Sequence, residues 1–185
     1  MATAELTALM TAEEFGSRPD PGYPEELVRG EVVPMPLTDT RHGQVCAQAT
    51  YLLMRFLEDH DLGRVIGNDA GVITTRGPDS VRGPDVAFFS YARIPKGPIP
   101  QGYQAVAPEL VIEVRSPSDR WPKVHAKVAD YLNAGVRIVV VLQPDSQTGH
   151  VFPDDAPPRK LSAEEDLTLP GVLAGFAVRV GKFFD

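Results

Sequence analysis

Residues 136–142, VRIVVVL, are aliphatic at every position except Arg137. A strand turns successive side chains to opposite faces, so this run has no solvent face. Such a strand is buried on both sides, and the sheet that holds it needs a covering layer above and below. Two helix signals supply those layers. From about residue 41 to 60, Val45, Ala49, Leu52, Leu53, Phe56 and Leu57 recur at spacings of three and four, with Gly63 just beyond as a stop. From Asp119 to Asn133, Trp121, Val124, Val128, Tyr131 and Leu132 share one side, and Gly135 stands at the position after the last turn. Lys127 lies at the border of that stripe and Lys123 further toward solvent.

Short strand patterns fill the space between: AGVITT, PDVAFFS and ELVIEVR. Ahead of them PEELVRGEVVPM predicts a hairpin turning at Arg29-Gly30. LTALMTAEEF predicts a short helix, with Thr11 and Glu14 spaced as a capping box. The proline-rich stretch RIPKGPIPQGYQAVAP predicts an exposed loop. After residue 142 the patterns are those of edge strands, turns and a short terminal helix. The order fits one α/β domain over residues 1–185, a mixed sheet flanked by helices with an N-terminal hairpin.

One apolar strand is interrupted by charge. In PELVIEVRSPSD, Leu110, Ile112 and Val114 share a face, and Glu113 and Arg115 fall on the other. Asp85 follows Pro84 at the head of a neighbouring strand. If the strands are adjacent, the two carboxylates converge at one sheet end. A hard divalent cation or an ion pair to Arg115 would each stabilise them there.

Composition narrows the chemistry. A single cysteine, Cys46, excludes an internal disulfide and a thiolate-rich zinc site, and fits a reducing cytoplasm. The four histidines show no paired metal-ligand spacing among themselves. No apolar stretch approaches the roughly 20 residues of a membrane span. The opening segment is acidic, with no basic cluster, unlike a secretory signal. The net charge of −7 argues against a general nucleic-acid coat. Between Glu113 and Lys127, however, four basic residues face two acidic ones, and Arg120 and Lys123 become candidate nucleic-acid contacts.

Taken in order, EELVRGEVVPMP, RHGQV, GPDVAFFS, PELVIEVRSPSD and KVADYLNAGVRIVVVLQP resemble the Uma-two family of restriction endonucleases, within the PD-(D/E)XK nuclease superfamily. The likeness runs from about residue 24 to 144 and continues more weakly through VLAGFAVRV. It implies a restriction-endonuclease-like fold and a Mg²⁺-dependent endonuclease acting on DNA, with Mn²⁺ as an alternative ion and a homodimer for double-strand cleavage. Asp85 becomes the first metal ligand, with Glu113 and the backbone carbonyl of Val114 completing the set. Arg115 stands where the superfamily carries lysine, and arginine cannot take a proton from water. The resemblance therefore assigns the catalytic-lysine role to Lys127, with Arg115 as a cation for the phosphate. It also marks Glu31 and His42 as accessory positions. An inactive nuclease-fold module that binds nucleic acid or protein is the alternative.

Overall fold

The computed structural model describes residues 9–185. Its central sheet has six strands. They are β3 (Gly63–Gly67), β6 (Val86–Ser90), β7 (Leu110–Val114), β8 (Ile138–Gln143), β9 (Thr148–Pro153) and β10 (Arg159–Leu161). The spatial order is β10-β9-β8-β7-β6-β3, with β7 and β8 parallel and every other pair antiparallel.

The parallel pair is joined through α3 (Trp121–Asn133), and α2 (Thr40–Glu58) lies on the opposite face. Strand alternation divides the core accordingly. Leu110, Ile112, Val114, Val140 and Leu142 pack with Val45, Ala49 and Leu53 of α2. Val111, Val139 and Val141 pack with Val128 and Tyr131 of α3. The run at 136–142 is buried on both faces, as its composition demands.

Asp39 caps α2 by accepting from the His42 N–H at 2.8 Å. Helix α3 begins at Trp121, two residues later than the sequence suggests, because the Asp119 carboxylate turns back to the Ser116 N–H and Pro122 occupies the first turn. Gly135 has φ +95°, the left-handed stop that glycine tolerates.

A second sheet of four strands stands beside the first, in the order β2-β1-β5-β4. It contains β1 (Glu25–Val28), β2 (Glu31–Pro34), β4 (Val72–Thr75) and β5 (Ser80–Arg82). The hairpin turn has Arg29 at φ +52° and Gly30 at +81°, the two left-handed residues that a tight hairpin requires. AGVITT is a strand as expected, but it joins this smaller sheet, and GRVIG and SVR are strands that local patterning missed.

The first helix, α1, covers only Ala12–Ser17; Thr11 and Glu14 form the reciprocal capping box in front of it. Residues 6–8 of the longer helix expected there lie outside the described residues. The C-terminal segment pairs β11 (Asp166–Leu169) with β12 (Leu173–Arg179) and closes on a 3₁₀ turn, whose Phe183 joins the α2-side core. No helix among the described residues is long and apolar enough to cross a membrane.

Candidate active site

The central sheet ends in a cavity of about 170 Å³ lined by residues from both sheets, from the start of α2 and from α3. Its placement follows from register. Val86 pairs with Ile112 in the antiparallel β6–β7 ladder, so one step further sets Asp85 opposite Glu113. Directly opposed residues point to one face with Cβ atoms about 4.5–5.5 Å apart. Val86 and Ile112 belong to the α2-side core, which turns Glu113 of β7 toward the α3 side; Asp85 precedes the first residue of β6, and its carboxylate meets the Val114 N–H and His42 of α2. Both carboxylates line the cavity.

Each is held by specific donors. Asp85 Oδ2 accepts from the Val114 N–H at 2.6 Å, a side-chain rung that continues the ladder past its last backbone pair. His42 Nε2 lies 3.4 Å from the same oxygen. Glu113 is clamped from α3: Lys127 Nζ donates to Oε2 at 2.9 Å, and the Tyr131 hydroxyl donates to Oε1 at 2.8 Å. Lys127 and Tyr131 are four apart, hence stacked on one helix face.

The Lys127 ammonium also donates to the Gly83 carbonyl at 3.0 Å and lies 3.2 Å from Glu26 Oε1. An ammonium has three N–H donors, and three acceptors surround this one.

Glu26 comes from β1 and is 4% exposed. Arg82 of β5 donates to its Oε2 at 2.8 Å, and the Gly83 N–H to its Oε1 at 3.0 Å. The other edge of the Arg82 guanidinium donates from Nε to Asp130 on α3 at 3.0 Å. The second sheet thus builds one wall of the site and anchors it to α3. Gly83 is required at this bend, because a Cβ there would stand 2.8 Å from the Asp69 carbonyl.

Carboxylates of Glu25, Glu26, Asp69, Asp85, Glu113 and Asp119 line the cavity with the cations Arg82, Arg115, Lys123 and Lys127 and with His42. Burial, and then the neighbouring charge of Asp85, push the Glu113 carboxyl up, against the pull of Lys127. Burial alone would lower Lys127, yet Glu113, Glu26 and Asp85 outweigh it and hold the ammonium above its ordinary range. Glu26 moves the opposite way from Glu113. Burial raises it, but Lys127 and Arg82 prevail and keep it below the usual carboxylate range. Burial lowers His42, and hydrogen bonds to Asp85 and Cys46 overcome that and raise it to about 10. Asp85 and Glu113 both line the cavity and offer the hard oxygen donors that a divalent cation takes.

The remaining sequence candidates are placed differently. Arg115 follows the last residue of β7, so strand alternation no longer directs it. Its guanidinium donates to the Asp119 carbonyl from Nε at 3.2 Å and from a terminal nitrogen at 2.7 Å, and it lies 5.1 Å from the Trp121 ring centroid. It lines the cavity while fastening the turn into α3, and forms no ion pair with Glu113 or Asp85.

Glu31 is a correction. It is exposed at the start of β2, opposite Val28, and does not line the cavity; the hairpin carboxylate that reaches the centre is Glu26. Lys123 is exposed and lines the cavity, whereas Arg120 is the exposed residue before α3. Val114 is buried and engages Asp85 through its N–H.

Sequence reasoning missed Glu26, Asp69 and Tyr131. For Tyr131 a signal existed, its four-residue spacing from Lys127; for the other two only the fold reveals the approach.

No curated protein matches the chain. Among solved structures it is similar to the crystal structure of "a putative nuclease belonging to DUF820" from Anabaena variabilis ATCC 29413, with 18% identity and a TM-score of 0.81. That likeness covers 95% of this chain and 97% of the other, so the two share a fold from end to end. A family model spans the two sheets, α2, α3 and every cavity residue named above, matching residues 12–181 under the description "Putative restriction endonuclease", and the chain belongs to that family, Uma2.

Proposed function

We propose that the protein is a metal-dependent endonuclease that hydrolyses phosphodiester bonds in DNA, with Asp85 and Glu113 holding Mg²⁺ or Mn²⁺. The observation that carries this is the meeting of those two carboxylates in one cavity at the sheet end, with Lys127 bound to Glu113 at 2.9 Å. Family membership and the shared fold support it. When bound, the ion supplies charge neutralisation at the scissile phosphate and lowers the pKa of a water beside it.

The chain's own groups then have distinct tasks. In hydrolysis an oxygen–phosphorus bond forms to water, whose proton leaves to bulk solvent, and the bond from phosphorus to the leaving sugar oxygen breaks. Lys127 is held protonated by two carboxylates, so it acts as a charged donor and not as a base. Its Nζ–H can stabilise charge on a phosphate oxygen or hand a proton to the leaving oxygen. Tyr131 orients Glu113 by holding Oε1 from within the core. His42, charged and bonded to Asp85, is a second cation beside the phosphate position. Arg115 serves the site indirectly by fixing the start of α3, on which Lys127 rides. Lys123, which lines the cavity, and Arg120 just ahead of α3 would meet the flanking backbone, and a two-fold dimer would present two such sites to a duplex.

Calorimetric titration with Mg²⁺ and Mn²⁺, followed by cleavage of supercoiled plasmid, tests this. Wild type should bind the ions and nick or linearise the DNA. Asp85→Asn should lose both, because an amide is a poorer ligand and removes one negative charge. Ion binding without cleavage of DNA would refute the enzymatic reading and leave a binding module. No ion binding at all would refute the metal site.

A further inference from the structure

We infer that His42, Cys46 and Asp85 form a second, thiolate-containing cation site for a thiophilic divalent ion such as Zn²⁺, distinct from the all-oxygen pair Asp85–Glu113 and in competition with it for Asp85. His42 and Cys46 are four residues apart on α2, one turn, so both point from the same helix face. A scan of histidines against one another passes over this pair, since its second member is a cysteine.

The donor atoms lie close to the spacing of a tetrahedral ion, though the two shortest contacts use different nitrogens of the His42 ring. Cys46 Sγ lies 3.4 Å from His42 Nδ1, and Asp85 Oδ2 lies 3.4 Å from His42 Nε2. Edges of a zinc tetrahedron built from Zn–N and Zn–O near 2.0 Å and Zn–S near 2.3 Å are about 3.3–3.6 Å. One ion uses one ring nitrogen. A nitrogen of His42, the sulfur and a carboxylate oxygen of Asp85 all lie within 4.8 Å of one another, so closure needs shifts on the order of 1 Å.

A fourth donor stands nearby. Asp69 lines the same cavity as Asp85, and its charge contributes to pushing the Cys46 thiol up, after burial. The donor set mixes one soft sulfur, one imidazole and carboxylate oxygen, which favours Zn²⁺ over Mg²⁺. Coordination displaces the thiol proton and the imidazolium proton to solvent, and the ion's charge replaces theirs beside Asp85.

Binding at this site stands on geometry alone; its consequence, inhibition by Zn²⁺ of the Mg²⁺-supported reaction through capture of Asp85, rests on the proposed nuclease function. Co²⁺ is the probe, because a thiolate ligand gives a near-ultraviolet sulfur-to-cobalt charge-transfer band. Cys46 is the only cysteine in the sequence, so any such band has one source.

The full chain titrated with Co²⁺ should develop the band, and Zn²⁺ should abolish it by displacement. Glu113→Gln should keep the band, which separates this site from the oxygen site. Cys46→Ser should lose it and bind Zn²⁺ at least tenfold more weakly, with thermal unfolding recorded to confirm that the variant is folded. Absence of the band from wild type, or undiminished Zn²⁺ affinity in folded Cys46→Ser, would overturn the proposal. If the band appears but no DNA is cleaved under any metal, the site stands and the nuclease reading falls.

Discussion

Replacing Lys127 with methionine removes the one ammonium shared by Glu113, Glu26 and the Gly83 carbonyl while keeping the length of the stem. Lys127 is 17% exposed, Glu113 14% and Glu26 4%, so the carboxylates left behind have little access to water. Arg82 still holds Glu26, and Tyr131 still donates to Glu113, which limits the damage chiefly to Glu113. Removing one partner of a buried pair costs about 3–5 kcal/mol, because the survivor keeps its desolvation penalty without its counter-charge. For a chain of this size each kcal/mol lowers Tm by roughly 2–4 °C, which gives a drop of roughly 6–20 °C at pH 7 without divalent ions.

The loss should depend on pH. Glu113 is already pushed above its unfolded value, and without Lys127 it rises further. A carboxyl raised in the folded state contributes stability below its unfolded pKa, and that contribution is lost as pH rises through the folded value. The deficit of Lys127→Met should therefore stay level between about pH 4.5 and 7 and widen as pH rises through about 8, where Glu113 ionises in wild type but not in the variant. Urea unfolding followed by the fluorescence of Trp121, the only tryptophan, measures it. Glu113→Gln in the same background should recover part of the loss. A destabilisation below about 1 kcal/mol at pH 7, the size of a surface pair, would refute the claim that Lys127 is a buried counter-ion.

Other perturbations address separate contacts. Glu26 is held below its unfolded pKa, so its stabilisation is present at neutral pH and disappears as pH falls through the folded value; Glu26→Gln should be less stable than wild type at pH 7 and approach it in acid, as denaturation at a series of pH values will show. Tyr131→Phe should weaken Mn²⁺ binding, measured by calorimetry, and destabilise by about 1–3 kcal/mol as Glu113 Oε1 loses its donor; unchanged ion affinity would make Tyr131 structural alone. Arg115→Lys should cost about 1–2 kcal/mol, since lysine cannot reproduce the two-pronged contact with the Asp119 carbonyl or the stacking on Trp121. Cleavage per folded molecule should fall less than tenfold in that variant, and a larger fall would return Arg115 to the phosphate.

Local pattern determined a good deal of this protein. The run at 136–142, aliphatic but for Arg137, demanded a sheet covered on both faces, and α2 and α3 cover it. Period-two alternation separated Glu113 from Leu110, Ile112 and Val114 and sent it to the opposite face, because side-chain direction in a strand is set by the backbone alone. Thr11 and Glu14, and Arg29 with Gly30, announced a cap and a turn for the same reason: each depends on atoms a few residues apart.

Where the chain leaves regular structure, that reasoning stops. Arg115 lies one residue past the end of β7, and the turn at Ser116–Asp119, not strand parity, aims it at Trp121. In the hairpin both Glu26 and Glu31 sit in short strands and are followed by an apolar residue, and only the pairing of β1 with β5 decides that Glu26 is the one buried against Arg82 and Lys127. Tertiary structure likewise brought Asp85 to His42, and Gly83 to Lys127, from positions 43 and 44 residues apart in sequence. A site of buried charge is a property of which elements meet, since its energy lies in desolvation and long-range pairing that no single segment contains.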